Sequence, residues 1–201
     1  MEQVCENILA GVQMFMLFMN SDDICLQPKA EYLECITVNA LKDAGYSVAE
    51  WCPSGQGSHR SGYDFICGNG NGNGNLEYGG RIQQKTGKWG KKGLTITSSR
   101  TTKHRTLEDK KNFMKEDHQD NLWSVSIKDD KLIIAIINGQ NLLCDKCNID
   151  EITWEETTSN WVGSDLTGKV LNIKIVKQAS DQLIYTLTKD CIDFYKEMNL
   201  N

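Results

Sequence analysis

The chain has 201 residues, a net charge of −5, and ordinary fractions of hydrophobic (39%) and charged (24%) residues. This length accommodates one sizeable hydrophobic core, so we expect a single domain over residues 1–201. The composition excludes a disordered or fibrous protein. The negative net charge argues against a protein that packages nucleic acid with its whole surface.

Eight cysteines raise the question of disulfide bonds. The chain opens with Glu2 and Glu6 instead of the basic residues of a secretory signal, so we expect a cytoplasmic protein whose cysteines are mostly reduced and buried. Cys144 and Cys147 have the spacing of a zinc-ligand pair, but no second pair accompanies them. A zinc-stabilised interaction protein is therefore one alternative.

The first part of the chain is predicted to be helical. One helix covers residues 1–20, and its apolar run from Ile8 to Met19 is too short to span a bilayer. We interpret that run as a buried helix or a dimer contact. A second helix extends from Pro28 to Ala44, with apolar residues at the spacing of one buried face, and Gly45 ends it.

Three strands are predicted next, over residues 46–51, 63–67 and 76–86. The second and third are separated by four Gly-Asn pairs, from Gly68 to Asn75. Such a run is tolerant of positive φ and cannot pack a core, so we interpret it as a flexible turn between two strands.

The second half alternates strands with two further helices. A strand from Leu94 to Ser99 precedes a helix that begins at Thr106, whose hydroxyl can cap it. Two hairpins and a last helix are expected beyond it, over residues 122–138, 169–188 and 190–198. This order of elements predicts an α/β (α+β) fold with a central mixed β-sheet flanked by helices.

A possible metal site lies around the Gly-Asn tract. Asp64 precedes the tract and supplies a carboxylate, whereas Gln83 and the peptide carbonyl of Gln84 follow it and supply neutral oxygens. Side chains alternate along a strand, so Lys85 shares a face with Gln83. Mg²⁺ prefers oxygen ligands, and a nearby lysine suits phosphodiester hydrolysis, in which negative charge develops.

This arrangement of Asp64, a hairpin and Gln83-Gln84-Lys85 resembles the motif of the PD-(D/E)XK nucleases. Two departures stand out: Gly62 and Tyr63 precede the first acid where the motif has proline, and Gln83 replaces the second acid. The resemblance covers roughly residues 28–100. It implies a restriction-endonuclease-like core, here about residues 28–137, with residues 150–201 as packing or DNA-contact elements.

The family often adds a glutamate from the preceding helix. Glu34 lies eleven residues before Gly45 and borders the apolar face of the predicted helix. The resemblance therefore implies that Glu34 completes the metal site, with Glu31 as the reserve.

Positive charge is concentrated after the motif, because eleven of the 22 lysines and arginines lie between Arg81 and Lys115. Lysine, arginine and hydroxyl groups bind phosphates, and arginine also reads guanine. The expected DNA contacts are Lys88, Lys91, Lys92, Ser99, Arg100, Thr102, Lys103, His104 and Arg105.

The resemblance implies a type II site-specific deoxyribonuclease that hydrolyses double-stranded DNA with Mg²⁺, without a further small-molecule cofactor and without a membrane partner. A homodimer is expected, because a twofold protein matches a palindromic site. Two alternatives remain besides the zinc protein. One is a structure-selective nuclease similar to a junction resolvase, and the other is a DNA-binding module without catalytic activity.

Overall fold

The computed structural model describes residues 1–19, 28–51, 63–68, 76–100, 106–115, 120–138, 148–164, 170–177 and 182–201. For residues 98–100 and 170–171 it describes the backbone alone.

Three α-helices form in the described residues: α1 (Glu2–Met19), α2 (Ala30–Asp43) and α3 (Leu107–Lys115). As predicted, α2 ends before Gly45, which takes a positive φ of 85° while Tyr46 N–H donates back to the Leu41 carbonyl at 3.0 Å. The predicted cap of α3 is also confirmed, because the Thr106 hydroxyl accepts from the Asp109 N–H at 3.1 Å. No helix in the described part of the chain is long and apolar enough to cross a membrane.

The central sheet is mixed and has six strands in the order β1-β2-β3-β6-β7-β12. Only β3 and β6 run parallel; the other neighbouring strands are antiparallel. Its strands are β1 (Ser47–Ala49), β2 (Phe65–Gly68), β3 (Gly80–Lys85), β6 (Asn121–Lys128), β7 (Lys131–Asn138) and β12 (Phe194–Asn199). The mixed sheet confirms the predicted fold class.

A second six-stranded sheet is antiparallel throughout, in the order β4-β5-β11-β10-β9-β8. Its strands are β4 (Lys88–Gly90), β5 (Gly93–Arg100), β8 (Thr153–Glu156), β9 (Asn160–Ser164), β10 (Val170–Val176) and β11 (Gln182–Leu187). The predicted hairpin of β10 and β11 is confirmed.

The central sheet is buried on both faces. On one face, Trp123 and Ile134 belong to a core that includes Ile8 of α1 and Leu41 of α2. On the other face, Leu122 and its neighbours share a core with the second sheet. Because β7 is covered on both sides, its sequence is continuously apolar from Leu132 to Ile137, whereas β6 includes the buried Ser124 and Ser126.

The prediction of a last helix over residues 190–198 is wrong. The segment instead forms a 3₁₀ turn at Lys189–Cys191 and then β12, which pairs antiparallel with β7. Its apolar spacing fits a helix, but Phe194 and Tyr195 also favour a strand. Pairing with β7 decides between them, because it satisfies the backbone groups along that strand.

Candidate active site

Asp64 is held against β3 by backbone and side-chain hydrogen bonds. Its N–H donates to the Ile82 carbonyl at 2.8 Å, directly before the pairing of Phe65 with Ile82. Its Oδ2 accepts from the Gln84 N–H at 2.7 Å and from Lys85 Nζ at 3.4 Å. The acid before the Gly-Asn tract and the lysine after it are therefore in contact, as the motif predicts.

Glu34 of α2 belongs to the same electrostatic environment. Its Oε1 accepts from Trp51 Nε1 at 2.8 Å. Burial raises the pKa of Glu34, and the Asp64 carboxylate raises it further, whereas the Trp51 hydrogen bond and Lys85 lower it. Glu31, the reserve, is exposed in the first turn of α2. Asp64 and Lys85 thus both influence the pKa of Glu34, although the three residues come from separate segments of the chain.

Gln83 and Gln84 are both buried, each with 7% of its surface exposed. Alternation along β3 puts Gln83 on the face of Arg81 and Lys85 and turns the Gln84 side chain the other way. Gln84 Oε1 is buried and finds no hydrogen-bond donor among the described residues. This side-chain oxygen therefore lies on the opposite face of β3 from the Gln83 side chain, and the two amides would not bind one cation together.

The start of β3 is fixed by a contact that the sequence reasoning missed. Asp120, just before β6, accepts from the Arg81 backbone N–H and from its guanidinium, both at 2.8 Å. Arg81 holds the pKa of Asp120 below its usual value. Arg81 and Asp120 are 39 residues apart and share no sequence motif. Their contact follows from the parallel pairing of β3 with β6.

The donor set suits an oxygen-ligated cation but lacks one acid. Among the residues that the structure describes, no group of three His, Cys, Asp or Glu side chains is arranged to hold a metal ion. Gln83 occupies the position at which the resemblance to the PD-(D/E)XK motif implies a third carboxylate. The carboxylates of Glu34 and Asp64 and the buried amide of Gln83 remain, and oxygen donors of this kind match Mg²⁺.

The expected DNA contacts fall into two groups. Lys88, Lys91 and Lys92 are exposed on β4 and on its turn into β5. The side chains of Ser99 and Arg100 lie outside the described residues, as do Thr102, Lys103, His104 and Arg105 and the cysteines Cys144 and Cys147.

Part of the basic segment is used inside the protein. Lys110 of α3 is fully buried, and its Nζ lies 5.3 Å from the centre of the Trp161 ring. Lys115 pairs with Asp150 at 2.6 Å. Lys110 therefore stabilises the contact of α3 with the second sheet and is not available to a nucleic acid, whereas the Lys115 pair lies at the surface.

The cysteines that the structure describes in the core behave as buried thiols. Burial raises the pKa of Cys5 and of Cys67 to about 11. This agrees with the expectation of reduced cysteines that act as small apolar residues.

Comparisons with protein-family models, with curated proteins and with solved structures found no match for this chain. Its function is therefore inferred from the chemistry of the site.

Glu34→Gln is expected to raise the melting temperature of the metal-free protein at neutral pH. The substitution keeps an oxygen for the Trp51 hydrogen bond but removes the charge that burial and Asp64 disfavour. The same substitution is expected to reduce the rise in melting temperature on adding Mg²⁺, because it weakens binding to the folded state. Thermal denaturation with and without Mg²⁺ measures both. An unchanged response to Mg²⁺ would exclude Glu34 as a ligand.

Proposed function

We propose that the protein is a Mg²⁺-dependent endonuclease that hydrolyses double-stranded DNA, as a type II restriction endonuclease does, in the cytoplasm. The observation that supports it is the contact of Asp64 with Lys85 and the Gln84 N–H at the junction of β2 and β3. This contact joins the two halves of the motif that resembles PD-(D/E)XK nucleases.

Asp64 and Glu34 would hold Mg²⁺ together with the Gln83 amide oxygen. When bound, the cation polarises the phosphoryl oxygen and makes water a better nucleophile. Lys85 is oriented by its 3.4 Å contact with Asp64. Its Nζ donates to the phosphate or to the attacking water, which stabilises the negative charge that develops during cleavage.

The exposed lysines of the β4–β5 hairpin support a nucleic-acid substrate. Lys88 follows Lys85 by three residues, and Lys91 and Lys92 form the turn of the hairpin. Such side chains neutralise backbone phosphates, so they position a duplex without reading its sequence. A duplex with one phosphate at Lys85 would therefore have these further lysines available for its neighbouring phosphates.

A homodimer is part of the proposal, because two copies would cut both strands of a palindromic site. The apolar run of α1 is buried in its first part and exposed near the end of the helix. Ile8 and Val12 are buried, whereas Leu17 and Phe18 are 76% and 77% exposed. An exposed apolar helix end supports a contact with a second copy, and light scattering measures its mass.

Incubation of a large phage DNA with the protein and Mg²⁺ tests the proposal. Discrete fragments are expected for a site-specific enzyme, and chelation of the cation should abolish them. A smear would indicate cutting without sequence specificity. Cleavage restricted to branched DNA would identify a structure-selective nuclease, and intact DNA of every form would contradict the nuclease proposal.

A DNA-binding module without catalytic activity is the second candidate. It is favoured by Gln83, which leaves the described residues without a three-acid metal cluster. The two candidates differ in Mg²⁺-dependent cleavage, since a binding module binds duplex DNA but does not cleave it.

Gln83→Glu is expected to lower the Mg²⁺ concentration needed for half-maximal cutting, by roughly tenfold for one added charged ligand, about 1.4 kcal/mol. The control is Gln83→Met, which keeps a similar size in this buried position but supplies no oxygen, and should raise that concentration. Cleavage rates across a Mg²⁺ titration give both values. Identical titrations for all three proteins would show that residue 83 does not contact the cation.

A further inference from the structure

A cleft of about 230 Å³ lies outside the candidate active site. It is formed by β4, by the β6–β7 turn, by the 3₁₀ turn and by β12. The side chains that matter for its chemistry are Trp89, Lys128, Lys131, Lys189, Tyr195 and Glu197.

Two aromatic rings form one side of the cleft. Trp89 and Tyr195 meet edge to face, with ring centres 5.3 Å apart at 75°. Tyr195 is 42% exposed. The Nζ of Lys189 lies 5.8 Å from the centre of the Tyr195 ring. An exposed ring face next to a cation is suited to a flat, polarisable ligand.

The cleft carries more positive than negative groups. Three lysines face two carboxylates, those of Asp129 and Glu197. Glu197 is already engaged, because it accepts from Lys131 Nζ at 2.5 Å and from the Tyr195 hydroxyl at 2.7 Å. These two bonds hold the Tyr195 ring in place. Lys189 is exposed and makes no ion pair with any of the residues that the structure describes, so it is available to an anion.

The cleft is at the same end of the central sheet as the candidate active site. Lys85 of β3 pairs in register with Ser124 of β6. From Ser124, β6 continues four residues to Lys128 at the cleft, which is about 13 Å in a strand. Trp89 follows Lys85 by four residues along the chain. A nucleic acid bound at Lys85 therefore reaches the cleft within a few nucleotides.

We propose that this cleft binds one unpaired nucleotide of a DNA strand, with the base against Tyr195 and Trp89 and the phosphate at Lys189 and Lys128. This inference rests on the proposed function and identifies a second contact with the same substrate. The cleft is smaller than the roughly 300 Å³ at which pockets for drug-sized ligands begin, so it accommodates one ring system. Stacking on aromatic residues combined with lysine contacts is how proteins bind single strands.

The test compares two DNA duplexes that differ only in a short single-stranded overhang. One overhang has four deoxyadenosines, and the other has four abasic residues with the same phosphates. Fluorescence anisotropy measures binding to each, with Ca²⁺ in place of Mg²⁺ to prevent cutting. The wild-type protein is expected to bind the adenine overhang roughly tenfold more tightly, a gain typical of stacking one base.

Tyr195→Leu is expected to abolish that preference, and Tyr195→Phe to retain most of it, because the ring and not the hydroxyl supplies the stacking. Lys189→Ala, an exposed substitution, is expected to weaken binding to both overhangs and not to a blunt duplex. Equal affinity of the wild type for the two overhangs, or a preference that survives Tyr195→Leu, would overturn the proposal.

The same samples separate the two proposals. If the protein cuts blunt duplex DNA with Mg²⁺ but binds both overhangs equally, the nuclease proposal is supported and the cleft proposal is contradicted. If it prefers the adenine overhang but cuts no DNA, the cleft proposal is supported and the nuclease proposal is contradicted.

Discussion

Asp64→Asn is expected to reduce the rate of Mg²⁺-dependent DNA cleavage by at least about 10²–10³-fold, the loss that follows removal of one charge-stabilising group. The amide still offers an oxygen to the Gln84 N–H, which Asp64 accepts at 2.7 Å, so the junction of β2 and β3 should remain intact. What is lost is the negative charge that attracts the cation. Cleavage of plasmid DNA over a time course measures the effect.

Asp43→Asn is the matched control, because Asp43 is an exposed acid at the end of α2 and has no part in the site. Its cleavage rate should equal that of the wild type. If Asp64→Asn cut DNA as fast as this control, Asp64 would not be a ligand of the catalytic metal.

Lys85→Ala is expected to lower the cleavage rate by about 10²-fold or more, because it removes the donor nearest to the developing charge. Duplex binding in Ca²⁺ should change little, since the exposed lysines of the β4–β5 hairpin remain. Lys85→Arg keeps the charge but has a planar, wider donor group and should recover only part of the rate.

Lys29→Ala is the control for that series, since Lys29 is an exposed lysine just before α2. It should cut normally. A Lys85→Ala protein that lost binding and cutting in equal proportion would show that Lys85 only attracts DNA.

Local sequence patterns were sufficient for much of the fold. The β6–β7 hairpin could be predicted because apolar strands flank Asp129 and Asp130, and both residues take the positive φ, 50° and 57°, of a tight hairpin turn. Gly45 and Thr106 marked helix ends through their own backbone and hydroxyl chemistry. Each of these signals is contained within a few residues.

Contacts between distant segments were not predictable in the same way. The second sheet depends on β5 pairing with β11, which is far away in the chain, and no local pattern specifies that partner. The same holds for β12, where pairing with β7 overrides a helical spacing. Long-range pairing is decided by the packing of the whole chain and leaves little trace in any one segment.

The candidate site contains one contact that a local pattern predicted and one long-range contact that no local pattern predicted. Asp64 and Lys85 were predicted together because a hairpin brings them together, and the structure places them in contact. The Trp51 indole that binds Glu34 comes from a different element, and nothing at either residue indicates the pair. For Lys110 the sequence pattern misleads. A basic segment is typical of a protein surface, but this lysine is fully buried.

Replacement of Mg²⁺ by Fe²⁺, followed by ascorbate and peroxide, tests the central claim most directly. Radicals formed at the bound iron cut the nearby polypeptide, and mass spectrometry of the fragments locates the cuts. We expect cuts close to Glu34, Asp64 and Gln83, which excess Mg²⁺ suppresses and Asp64→Asn abolishes. Cuts confined to other parts of the chain, or none that Mg²⁺ suppresses, would contradict a cation held between these residues.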